Sequence, residues 1–244
     1  MSWLIGLVML VLAAPAMAAP VYDGLYVLDG NGNVHAVDAA PVISPGINWG
    51  WDIARDIAIT GNETGVVDGM YLLTGYGDVF AFGNAPEYAG VERPYWGWDI
   101  GRDIETSPDW TAEVNDIAGF YVLDGYGGVF PVGDLSNPYF KVYGAKVWDI
   151  SSSTEIDGYV YWGWDVAEDL EVSLVYDESG SVLRSNGYYI LDAYGGVHWC
   201  LEDELGDMIT TPWGFTQPYF GWDIARGIEM TPTFKGYYLL DGYG

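Results

Sequence analysis

The sequence predicts an all-β protein built from repeats, and three observations carry that prediction. The 244 residues include 34 glycines, 20 tyrosines and 12 tryptophans. Glycine-rich turns between aromatic and β-branched runs suit strands and work against helices. Half the residues are hydrophobic and 16% are aromatic, ample apolar material for a packed core, which excludes disorder. Third, one motif returns along the chain: GLYVLDGNGNVHAV from Gly24, GMYLLTGYGDVFAFG from Gly69, GFYVLDGYGGVFPVG from Gly119, GYYILDAYGGVHWC from Gly187 and GYYLLDGYG from Gly236. The spacings are 45, 50, 68 and 49 residues.

A second motif alternates with the first, as WGWDIARDIAIT from Trp49, WGWDIGRDIETS from Trp96, WGWDVAEDLEVS from Trp162 and FGWDIARGIEMT from Phe220. Taken in order, each unit reads as three short strands. The β-branched run after the Trp-Asp pair forms an inner strand, beginning near Asp56, Asp103, Asp169 and Gly227, and it ends in a Thr-Pro, Ser-Pro or Gly-Asn turn. The Tyr-x-Leu-Asp run forms a middle strand, and the Gly-Tyr-Gly-Gly that follows supplies the positive φ of a tight hairpin. Val-Phe-x-Val-Gly returns as an outer strand, and a fourth strand fits in the variable stretch beyond it. Units of about 40–50 residues with three or four antiparallel strands are the sequence form of propeller blades. The expectation is therefore an all-β chain folded as a β-propeller of at least four blades over 19–244. The 68-residue interval holds an insertion at 133–161, read as a long hairpin or a decayed blade.

The DIAIT…GMYLLTGYGDVFAFG order resembles the blade consensus of NHL-type propellers, in which inner, middle and outer strands follow in that sequence. The GMYLLTGYGDVFAFGNA segment is also similar to repeats of secreted bacterial propellers. The resemblance spans nearly all of 24–244; it implies a fold and brings no catalytic residues. Five middle strands stand against four inner ones, so one strand is left over from a closed ring. That leaves either a piece of a longer array, or a spare strand at Tyr237-Tyr238-Leu239-Leu240 that completes a neighbouring subunit's blade.

Residues 1–18 read as a signal peptide, with an apolar run over Trp3–Ala14 and small residues at Ala16 and Ala18. The run is shorter than the ~20 residues of a spanning helix, so the expectation is a chain secreted to the cell surface or beyond, with no membrane span after cleavage. Eight Lys+Arg against 35 Asp+Glu give 8 − 35 = −27, which repels nucleic acid and anionic membrane surfaces. Cys200 stands alone, so no intrachain disulfide forms.

The repeats also order the candidate residues. Asp52, Asp99, Asp165 and Asp223 follow a Trp at one repeat position, and three residues later come Arg55, Arg102, Glu168 and Arg226. Recurrence in every unit points to structural Asp–Arg pairs rather than to a catalytic site. The enzyme alternative is a glycoside hydrolase using two of these carboxylates. A second set, Asp29, Asp124, Asp192 and Asp241, heads the glycine-rich turns as backbone acceptors. Asp29, Asn31 and Asn33 place oxygens at alternate positions and are the calcium candidates. His35 and His198 occupy the slot that holds Phe80 and Phe130 elsewhere, an aromatic packing position. Trp51, Trp98, Trp164 and Trp222 are candidates for stacking on sugar rings, in clusters otherwise expected to pack between blades. Asn62 opens the glycosylation sequon Asn62-Glu63-Thr64. The function expected is that of a non-catalytic extracellular structural or interaction module. Its partners are other copies of itself in a fibre, other extracellular proteins, or glycans.

Overall fold

A computed structural model of the chain describes residues 24–61, 66–88, 93–108, 117–136, 140, 145–149, 154–158, 161–176, 182–203, 205–207, 209, 218–231 and 236–243. The signal peptide at 1–18 and Asn62 lie outside them. Among the described residues the secondary structure is entirely β, and no helix is long and apolar enough to cross a membrane. The strands form five small antiparallel sheets in chain order. The first holds β1 (Gly24–Leu28) and β2 (Val34–Asp38); the second β3 (Ala54–Gly61), β4 (Val67–Thr74) and β5 (Val79–Gly83). The third holds β6 (Gly101–Pro108), β7 (Ile117–Asp124) and β8 (Val129–Gly133). The fourth has five strands, β9 (Ala145–Asp149), β10 (Thr154–Gly158), β11 (Ala167–Tyr176), β12 (Val182–Asp192) and β13 (Val197–Leu201). The fifth pairs β14 (Ala225–Met230) with β15 (Tyr237–Asp241).

The expected inner, middle and outer strands are therefore present in the second, third and fourth sheets, with the Tyr-x-Leu-Asp strand central in each. Central position explains the composition of that strand. Both of its faces are covered, so Met70 to Leu73 and Phe120 to Leu123 are continuous apolar runs buried to within 1%. Among the described residues β8 has no further strand on its outer side, and that edge tolerates Pro131 opposite Tyr121. The insertion resolves as a hairpin: β9 and β10 pair with each other, and β9 joins the edge of β13 at Trp199 and Lys146.

The sheets stack face to face, each on its neighbours in sequence. Tyr71 and Leu73 of the second sheet pack with Phe120 and Val122 of the third in one apolar cluster. Tyr121 and Leu123 of the third meet Tyr188 and Ile190 of the fourth in another. Tyr189 and Leu191 meet Ile228 and Leu239 of the fifth. The alternation along each middle strand thus divides its side chains between the sheet before and the sheet after. The rings meet at tilted angles, with Tyr71–Phe120 centroids 4.7 Å apart and Tyr121–Tyr188 5.6 Å apart. The inner strands β3, β6, β11 and β14 lie side by side in that order along one edge of the stack.

Candidate functional site

Two bands of polar and aromatic side chains run across the stack, both produced by the repeat. The first is a rim where the hairpin turn of one sheet meets the Trp-Gly-Trp-Asp segment leading into the next. The backbone forms a clasp there. Ile100 and Gly101 donate their N–H groups to the Gly75 carbonyl, and Trp96 donates to the Tyr76 carbonyl. The same three bonds recur from Ile53, Ala54 and Trp49 onto the turn at Gly30 and Asn31, from Val166, Ala167 and Trp162 onto Gly125 and Tyr126, and from Ile224, Ala225 and Phe220 onto Ala193 and Tyr194. The turn requires glycine at its third position, where Gly77 has φ 91° and a Cβ would strike the Trp96 ring.

Side chains lock the clasp. Arg55 reaches from the second sheet to Asp99 of the next linker through Nε and Nη2, and it also bonds Asp52 at 3.1 Å. Arg102 repeats this, with Asp165 at 2.5 Å and Asp99 at 3.8 Å. The recurrent Asp–Arg pair is thus an inter-sheet staple as well as a local one. Gly75 and Gly125 are small because the Asp99 and Asp165 carboxylates sit where a Cβ would go. The fourth unit breaks the pattern. Glu168 replaces the arginine, Ala193 replaces the glycine, and Arg226 pairs with Asp223 at 2.8 Å and reaches back to Glu168 at 3.8 Å. Burial raises the Glu168 pKa to about 7, although Arg226 pulls against it.

The aromatic clusters divide their labour on the same rim. The first Trp packs inward onto the outer strand of its own sheet: Trp49 on Phe80, Trp96 on Phe130 and Trp162 on His198, with centroids 5.6, 5.5 and 4.9 Å apart. The second Trp faces solvent. Trp51, Trp98, Trp164 and Trp222 are 48%, 50%, 48% and 51% exposed, a uniformity that only a repeated geometry gives. Each contacts a turn tyrosine, Tyr76, Tyr126, Tyr194 and Tyr243 respectively, at 5.7, 5.7, 6.1 and 6.0 Å. Exposed Tyr161 and Tyr219 extend two of these pairs, meeting Tyr126 at 5.8 Å and Tyr194 at 6.3 Å.

The second band is a file of carboxyls between the inner strands. Asp56 accepts the Ile104 N–H at 3.1 Å, Asp103 accepts the Leu170 N–H at 3.0 Å and Asp169 accepts the Ile228 N–H at 2.6 Å. Each thereby ties its strand to the next sheet. Asp103 stands between Asp56 and Asp169 in this file, close enough for each to perturb it, so ionisation of all three together is disfavoured. Burial first, and then the neighbouring charges, hold Asp103 well above the ordinary carboxyl range; burial raises Asp56, and takes Asp169 to about 7. A second tier follows two residues on. Burial and mutual repulsion push Glu105 well up and Glu171 to about 8, and burial raises Glu229. Such shifts also mark catalytic acids; Asp103 is itself buried, with Oδ2 accepting the Leu170 N–H. The sequence reading missed this file, though its signal was present: an acidic residue four positions after each Trp-Asp carboxylate, replaced by Gly227 only in the last unit.

The turn carboxylates act as expected of acceptors. Asp124 Oδ1 takes the N–H groups of Tyr126 and Gly128, and Asp192 Oδ1 those of Tyr194 and Gly196. Thr74 Oγ does the same for Asp78. Asp29 accepts from the Asn31 and Asn33 N–H groups and from the Asn33 amide at 2.7 Å, bonds that hold its carboxyl below the usual range. Asn33 Oδ1 in turn accepts from Asn48. The three calcium candidates are thus organised as a turn cap, and no cluster of three or more His, Cys, Asp or Glu suited to a metal ion occurs among the described residues. A cleft of about 400 Å³ adjoins Asn33 and His35, walled by 44–48. His198 is buried, bonded to Asp192 at 2.8 Å and edge-on to Trp162, consistent with a packing slot. Cys200 is buried, which raises its thiol pKa and keeps it unreactive.

The chain matches no family model, no curated protein and no solved structure.

Proposed function

We propose that this chain is a secreted, non-catalytic module of β-propeller type that engages extracellular partners through its aromatic rim. The observation that carries the reading is the recurrence of a half-exposed Trp, a turn Tyr and an exposed Asp at every junction. Aromatic side chains left in solvent at four equivalent positions contribute little to the core and offer rigid contact area at low entropic cost. The rim carboxylates recur beside arginines at successive junctions, and no one pair of them is set apart from the repeat for hydrolysis. The test uses the mature 19–244 chain, recovered from a secreting host, with its N-terminus sequenced. Extracellular polymer should protect its tryptophans from acrylamide quenching, and a quadruple Trp51/Trp98/Trp164/Trp222→Ala variant should lose that protection. Release of reducing sugar abolished by Asp99→Asn would establish the glycosidase instead.

A second reading, self-assembly, is supported by two faces. Leu25 and Val27 on β1 are exposed, whereas their repeat counterparts Phe120 and Val122 pack on the preceding sheet; Tyr238 and Leu240 on β15 are exposed, whereas Tyr71 and Leu73 pack on the following one. Each face fits a further unit of the same repeat. A Tyr238→Asp/Leu240→Asp variant eluting from size exclusion identically to the unchanged chain, at all concentrations, would remove it.

A further inference from the structure

The rim carries a second chemical property besides its aromatic faces, and the two together define a ligand. The residue after each exposed indole is a carboxylate: Asp52, Asp99, Asp165 or Asp223, following Trp51, Trp98, Trp164 or Trp222 in the chain. Their side chains are 83%, 47%, 49% and 64% exposed, so oxygens remain open to solvent after the arginine contacts are made. A carboxylate only accepts hydrogen bonds. The guanidinium groups of Arg55 and Arg102, which could have offered donors, face Asp99 and Asp165. Each rim unit therefore offers solvent an exposed aromatic side chain and an exposed acceptor, in a field set by a net charge of −27.

We propose that the rim binds a neutral, β-linked polymer of all-equatorial pyranoses, a proposal that rests on the reading of the rim as the binding surface. Such a sugar turns axial C–H bonds to both faces of its ring, either of which stacks on an indole, and holds its hydroxyl donors around the perimeter, where carboxylates of the rim accept them. Uronic acid and sulfated glycans carry the sign of charge that the rim repels. The trio of Trp98, Tyr126 and Tyr161 recurs one sheet on as Trp164, Tyr194 and Tyr219, and repeated sites on stacked sheets suit an extended chain rather than a single residue. Several weak contacts on one polymer then add through effective concentration.

Affinity electrophoresis of the mature chain in gels holding soluble mixed-linked β-glucan, polygalacturonate, a gel-immobilised proline-rich peptide or no ligand tests this. Retardation is expected in the β-glucan gel alone. Trp98→Ala should weaken it about three- to tenfold, and Trp98→Ala/Trp164→Ala about ten- to a hundredfold. Trp96→Phe, at the inward-packed position, should leave it unchanged while the fold is monitored by circular dichroism. Equal retardation of the double variant, or stronger retardation by polygalacturonate, overturns the proposal. Rim-dependent binding of the proline-rich peptide without retardation by β-glucan overturns the ligand class and leaves the rim as the binding surface. A rim that responds to no polymer and no peptide overturns both.

Discussion

The junction between the second and third sheets and the junction between the fourth and fifth share a backbone clasp but carry opposite charges. At the first, Arg55 points forward to Asp99 past Gly75. At the second, Glu168 stands in that arginine's place and Arg226 points backward to it. The three clasp bonds are the same at both: Ile100, Gly101 and Trp96 onto one turn, Ile224, Ala225 and Phe220 onto the other. The inner carboxyl bond also persists, from Asp56 to Ile104 and from Asp169 to Ile228. Backbone geometry is thus the constant of the repeat, and the ion pair is an adjustable addition to it. Surface ion pairs contribute little and can be rewired, whereas an unmet backbone group costs the full desolvation of that group.

The largest effect should come from breaking the clasp itself. Gly77→Val forces a β-branched residue to φ near 91° and into the Trp96 ring; Gly195→Val does the same at φ 89° against Phe220. Each should cost roughly 3 kcal/mol or more, about 10 °C in melting temperature, and by similar amounts. A much smaller loss at one junction than the other would show that the clasp is not their common support.

Next comes pH. Buried carboxyls whose folded pKa is raised contribute stability that is complete below their unfolded values near 4 and is lost as pH rises through the folded values. With Glu168 and Asp169 at about 7 and Glu171 at about 8, the window is roughly pH 4 to 8. Thermal unfolding should accordingly be highest near pH 4–5 and fall by about 5–10 °C at pH 8. A melting temperature that rises over that interval would contradict the protonated file.

Asp103 separates the two functions of that file. Asp103→Asn keeps an oxygen for the Leu170 N–H and supplies an amide donor to the flanking carboxyls without needing a proton. It should raise stability at pH 8 by about 1 kcal/mol and flatten the pH profile. Asp103→Leu, which leaves the Leu170 N–H unmet, should destabilise by about 1–3 kcal/mol instead. Urea titrations of both at pH 5 and pH 8 distinguish these outcomes.

The smallest effects belong to the ion pairs. Arg102→Ala should cost about 0.5–1 kcal/mol, less at high salt. Glu168→Arg/Ala193→Gly, which restores both the forward arginine and the space for Asp223 beside the turn, should be neutral within about 1 kcal/mol at pH 8. A loss above about 2 kcal/mol in the latter would mean that the reversed pair has a role of its own.

Periodicity determined a good deal of this protein by itself. The all-β class, the inner, middle and outer strands, the glycine at the turn's third position and the turn-capping role of Asp124 and Asp192 were all legible, because each depends on contacts within a few residues along the chain. The second Trp of each pair was singled out as a stacking candidate, but the reason for its exposure was not legible: Trp96 and Trp98 differ by two positions, and the outer-strand Phe130 takes Trp96 inward. The direction of the arginines was hidden as well. Asp52 and Asp99 are equally plausible partners for Arg55 until the sheets stack and bring Asp99, 44 residues away, beside it. The carboxyl file was the least visible, since Asp56, Asp103 and Asp169 look like three separate acidic residues on three strands. Sequence spacing sets what a residue can do within its own hairpin; the stacking of one hairpin on another decides which charges are buried together, and desolvation then decides which of them keep a proton.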